Sequence, residues 1–146
     1  MTDEYFSIYE LPVEDFLSYA SVIDSKIENE EFFRDDFIKG HKFMVEVCRL
    51  DDYYEVTRLY KNAATKCQGM IDTLIGHKNA ILNLFQSLSD PDYGELLTKR
   101  YLEDKQWDKI AKEMAYTRPG IMSKKKSAIN ALEAKLDEMR RGNDNG

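Results

Sequence analysis

Between Val56 and Leu88, mostly apolar residues return at alternating steps of four and three. Val56, Ala63, Met70, His77 and Leu84 hold one position of a seven-residue repeat, and Tyr60, Cys67, Leu74, Ile81 and Leu88 hold another. A strand, whose side chains alternate with period two, cannot gather these positions on one face. A helix can, and its seam must then meet a second helix. Five repeats at ~1.5 Å per residue extend on the order of 50 Å. Two partners for the seam remain open: a helix of the same chain carrying Phe33 and Phe37, or a second copy in a homodimer through this heptad helix. Gly69 and Gly76 each cost about 1 kcal/mol in a helix interior, so a kink or break is expected near Gly76.

Helical spacing also dominates elsewhere, interrupted by only three prolines and seven glycines, which predicts an all-α fold. Pro12 fits the first position of a helix that continues through Phe16, Leu17, Tyr19, Ala20, Ile23 and Ile27. A second helix is expected from Glu30 to Val47, broken or bent near Gly40, with Phe33, Phe37, Phe43, Met44 and Val47 forming a small aromatic core. Four segments follow from this pattern. They are an acidic helical region over 1–50, a long helical spacer over 51–89, a three-helix unit over 90–139, and a tail over 140–146 too polar to pack.

At 42% hydrophobic residues, the 146-residue chain has enough apolar surface to fold. Its apolar runs fall far short of the roughly 18 residues needed to span a bilayer, and its first ten residues lack a basic segment followed by an apolar one. A cytoplasmic location, away from membrane, is the expectation. Cys48 and Cys67 have neither CxxC spacing nor paired histidines, so both are read as buried, reduced thiols rather than zinc ligands.

The net charge of −6 conceals an asymmetry. Residues 1–60 hold fifteen acidic against six basic side chains, whereas residues 61–146 hold twelve against fifteen. From Thr98 to Lys126 nine basic residues face four acidic ones, and a local positive face is what contact with phosphates requires.

That basic stretch has its own punctuation. Asp90 suits an N-cap and Pro91 a first turn, opening a helix to about Leu102 that buries Leu96, Leu97, the Arg100 stem and Tyr101. Trp107, Ile110, Ala111 and Met114 form one apolar stripe on the next helix, with Asp108, Lys109, Lys112 and Glu113 outside. A short turn, Ala115 to Thr117, leads to a last helix with Ile121, Ala128, Ile129, Leu132, Leu136 and Met139 inward. Arg118, Ser123, Lys124, Lys125, Lys126, Ser127 and Asn130 are the candidate DNA-binding residues, mixing phosphate donors with side chains able to read base edges.

The run RYLEDKQWDKIAKEMAYT, followed by a helix containing KKKSAINAL, resembles the sigma-factor region-four type of helix-turn-helix in ArpU- and RinA-type phage transcriptional regulators. The resemblance covers about a third of the chain and rests on Arg100, Tyr101, Trp107, Ile110, Ala111, Lys124 to Lys126, Ala131 and Leu132. It implies a sequence-specific DNA-binding regulator of late, packaging or lysis genes, with double-stranded DNA and RNA polymerase as partners. Two features depart from the family pattern. Ala115 stands where the family commonly has glycine, which costs about 1 kcal/mol if that position needs a positive φ. Arg118-Pro119-Gly120 opens the last helix, leaving either Thr117 or Arg118 as its N-cap and Arg118 free to reach DNA.

No Ser or Cys stands beside a His, and there is no HExxH and no phosphate-cradling glycine run. The chain is therefore expected to be a non-enzyme without cofactor or metal. His77 is read as a packed neutral imidazole and Trp107 as a core anchor. Two other functions fit the same residues: a DNA-packaging component such as a small terminase subunit, and a helical interaction module that does not bind DNA.

Overall fold

The computed structural model describes residues 7–47 and 53–145, with side chains for all of these except 53 and 143–145. Among the described residues the fold is all-α, with five helices and no strand. A 3-10 turn over Ile8–Glu10 precedes α1, Val13–Glu46, and α2 covers Tyr53–Gln86. Then come α3, Pro91–Leu97, which widens into a π-helical turn over Thr98–Leu102, α4, Trp107–Glu113, and α5, Arg118–Asn145. No helix among the described residues is long and apolar enough to cross a membrane. Two compact units result: Asp24–Gly76, and Met1–Ile23 together with His77–Gly146. The expected division near residue 50 lies outside the described residues; the boundaries of the two units fall within α1 and α2.

Both long helices run without the expected interruptions. Gly40 sits inside α1 because the Tyr60 ring needs the room: a Cβ there would stand 3.0 Å from the Tyr60 ring. Gly69 and Gly76 have open space around them, and α2 passes through both. A cost of about 1 kcal/mol per glycine is small beside the interactions holding a 34-residue helix against its neighbour.

Within Asp24–Gly76 the helices run antiparallel. Arg34 Nη1 donates to Gln68 Oε1 at 2.7 Å, His41 Nε2 and Thr57 Oγ1 are 3.0 Å apart, and the Phe37 and Tyr60 rings meet edge to face. Within this unit the heptad seam, the exposed Met70 apart, is thus turned to α1 of the same chain. Two helices alone enclose few side chains. Among the described residues of this unit Ile71 and Leu74 are the buried ones, while Phe33, Phe43 and Val47 are exposed and the expected aromatic core is not formed. Cys67 is half-buried rather than buried, and Cys48 lies outside the described residues.

The other unit holds the core. Phe16 and Phe85 pack edge to face with centroids 6.4 Å apart, amid Ile23, Ile81, Leu96, Leu97, Ile110, Ile121, Leu132 and Leu136, all fully buried. Asp90 caps α3 as expected, accepting from the Asp92 amide at 2.9 Å. Gly94 lets α3 cross the end of α2 backbone to backbone, since a Cβ at that position would lie 2.6 Å from the Phe85 carbonyl oxygen. The expected polar tail is helical to Asn145. Arg140 is held there because its guanidinium donates to the carbonyl oxygens of Tyr9, at 2.9 Å, and Leu11, and pairs with Asp137.

His77 packs edge to face on Tyr19, with Nδ1 2.7 Å from the Tyr19 hydroxyl. Burial pushes the His77 pKa below its ordinary 6.5, which favours the neutral ring beside the Tyr19 hydroxyl. Because the unfolded chain then binds the proton more readily, this contribution is fully present above pH 6.5 and declines as pH falls toward the lower folded value. Thermal melts from pH 7.5 down to 5.5 are expected to show a falling Tm for the wild type and a shallower fall for His77→Gln; equal slopes would contradict the assignment.

Candidate nucleic-acid interface

The link between α4 and α5 is built on backbone chemistry. Ala115 adopts φ 61°, its amide bonds to the Lys112 carbonyl at 3.3 Å, and the Tyr116 amide reaches back to the Ala111 carbonyl at 2.8 Å. That pair of bonds is the Schellman closure, which satisfies the last carbonyls of α4 and favours glycine at the left-handed position. Thr117 then caps α5: its Oγ1 accepts from the Gly120 amide at 3.1 Å, and its carbonyl accepts from the Ile121 amide at 2.9 Å. Of the two N-caps left open by sequence, Thr117 is the one used. Arg118 becomes the first helical residue and pairs with Asp108, both side chains well exposed.

Helical geometry separates the three consecutive lysines. Successive residues step about 100° around a helix, so a triplet spans more than half its circumference. Ile121, Ala128, Leu132 and Leu136 are buried on one side of α5, and Ser123, Lys126, Ser127 and Asn130 are exposed on the opposite side. Lys124 falls on a flank of the buried stripe and Lys125 in line with it, and both are half-buried against the protein.

Lys124 does not face solvent as a free phosphate donor. Its Nζ lies 2.9 Å from Asp90 Oδ2 and 5.4 and 6.0 Å from the Tyr93 and Tyr116 ring centroids. Asp90 therefore caps α3 and anchors α5 with the same carboxylate. The hydrogen bond from Lys124, followed by that from the Asp92 amide, holds the Asp90 pKa below its usual range, and the bond to Asp90 raises that of Lys124. Tyr116 adds a second tie by donating to Asp92.

Lys125 lies over the Trp107 ring at 5.2 Å, and Arg100 lies over the same ring at 5.6 Å. The indole is half-buried, so it is a platform for two cations as much as a core anchor. Glu113 engages Lys99 at 2.8 Å and Lys105 at 3.0 Å. Hydrogen bonds from those two ammonium groups bring the Glu113 pKa down to about 2.

Of the nine cations between Thr98 and Lys126, six are thus engaged with carboxylates or rings of the protein. Lys109, Lys112 and Lys126 are exposed and carry no ion pair among the described residues. Lys109 and Lys112 were not among the sequence candidates. Their signal was present in the α4 stripe, which leaves both opposite Ile110 and Ala111. The arrangement offers a polar stripe of hydroxyls and an amide, one cation within it, two cations on the preceding helix and Arg118 at the junction. No cluster of His, Cys, Asp and Glu among the described residues is placed to hold a metal ion.

Replacing Ala115 by glycine is expected to stabilise the fold by about 1 kcal/mol, because glycine adopts the left-handed conformation without a Cβ clash. Urea denaturation measures it, and a loss of stability would contradict the Schellman closure. No family model, curated protein or solved structure matches the chain.

Proposed function

We propose that this protein binds double-stranded DNA, with α4 and α5 acting as a helix-turn-helix and the outward stripe of α5 seated in the major groove. The observation that carries the reading is the placement of Ser123, Lys126, Ser127 and Asn130 on one exposed face of a helix whose opposite face is fully buried. Such a helix is rigidly phased, and its free side holds groups suited to base edges: an amide for adenine, hydroxyls for several bases, and a lysine for guanine or phosphate. Lys109 and Lys112 supply phosphate contacts from α4, and Arg118 does so by exchanging Asp108 for a phosphate. The resemblance to ArpU- and RinA-type regulators supports the same reading and extends it to control of phage late genes, in which RNA polymerase is a further partner.

The test is selection of duplexes from a random pool by the full chain, followed by affinity measurements on the selected sequence. Asn130→Ala is expected to cost about 1 to 3 kcal/mol and to relax preference at one base pair. Lys126→Ala and Lys112→Ala are each expected to lower the salt slope by about one without changing the preferred sequence. Lys124→Met is expected to lower stability more than it changes the salt slope. Failure of the folded wild type to bind any duplex at about 50 mM salt would overturn the reading.

A further inference from the structure

Nine of the ten large apolar side chains exposed among the described residues belong to Asp24–Gly76, and they are distributed unevenly around that hairpin. One edge is bridged by polar groups, Arg34 with Gln68 and His41 with Thr57, and carries two of the nine, Ile38 and Ile75. At about 3.6 residues per turn, Phe33 and Phe43 of α1 and Val47 just past its end come to the opposite edge, and Leu59 and Met70 of α2 come to that same edge. Their exposures are 51%, 55%, 64%, 60% and 49%, respectively. Of the heptad seam only Met70 reaches this edge; its other members in the hairpin, Val56, Tyr60, Ala63, Cys67 and Leu74, are buried or half-buried within the chain.

We propose that the apolar edge is where two copies of this chain associate, closing two hairpins into an antiparallel four-helix bundle. The exposed area of those five side chains is on the order of 500 Å², a large share of the ~800 Å² that each partner contributes to a standard interface. A second hairpin also supplies what one hairpin lacks, since two helices bury little and four enclose a core.

Charge selects a copy of the same chain and sets its orientation. Within 24–46, α1 carries seven acidic and four basic residues; within 53–76, α2 carries two acidic and three basic residues. A twofold axis parallel to the hairpin sets the acidic α1 of one copy against the more basic α2 of the other, with every neighbouring pair antiparallel. The alternative twofold, across the hairpin, opposes acidic α1 to acidic α1. The surface is therefore complementary to itself in one arrangement, as an isologous dimer requires.

Sedimentation equilibrium of the full chain, without DNA, tests this directly. The wild type is expected at twice the 17.1 kDa chain mass. Leu59→Glu with Met70→Glu is expected to revert to the single-chain mass with its helical circular dichroism retained, and Gln68→Ala on the bridged edge to keep the doubled mass. Phe43→Lys, at a site already exposed, provides a milder second variant expected to weaken association at least about tenfold. A wild type at single-chain mass at ~100 µM would overturn the proposal and leave the edge to a different protein. Doubled mass that survives all of the apolar-edge substitutions would also overturn it, by placing association on another surface. Neither result bears on DNA binding.

Discussion

The burial of Ile121, Ala128, Leu132 and Leu136 along one side of α5 fixes the rotational phase of that helix, and with it every side chain the helix presents to solvent. Four fully buried positions at helical spacing leave no freedom to roll, because any rotation brings polar groups into a packed interior. The ties at the helix start act in the same sense. Lys124 is drawn to Asp90, Tyr116 to Asp92, and Thr117 caps the first turn. Stability and the candidate interface therefore share one cause: packing the inward stripe displays the outward one.

Counting charges along the sequence overstates the positive field of this region. The excess of cations between Thr98 and Lys126 is real, yet Glu113 engages two of them, Asp90 and Asp108 one each, and Trp107 lies beneath two more. What remains outward is a small group led by Lys109, Lys112 and Lys126. On the DNA reading, affinity then rests on few phosphate contacts, and discrimination among sequences depends more on Asn130 and the two serines.

Much of the fold was legible because helix periodicity and capping are local. Asp90 and Pro91 announced α3, the Ile110 and Ala111 stripe placed α4, and the inward residues of α5 were readable from their spacing alone. What was not legible depended on partners distant in sequence. Gly40 looked like a break until the Tyr60 ring was set against it, and Arg140 looked like a solvated tail until the carbonyls of Tyr9 and Leu11 were beside it. The lysine triplet read as one basic patch because adjacency in sequence is not adjacency on a helix face. Only Lys126 of the three faces outward with the serines and Asn130.

The phase of α5 is measured most directly by the reaction of its lysines with a limiting amount of an amine-modifying reagent, read by mass spectrometry on the folded chain. Lys126, exposed, is expected to react readily, whereas Lys124, paired with Asp90 and covered by two tyrosine rings, is expected to react last of the triplet and to gain reactivity in Asp90→Ala. Equal reactivity of Lys124 and Lys126 in the folded wild type, or a Lys124 faster than Lys126, would contradict the orientation on which the proposed interface rests.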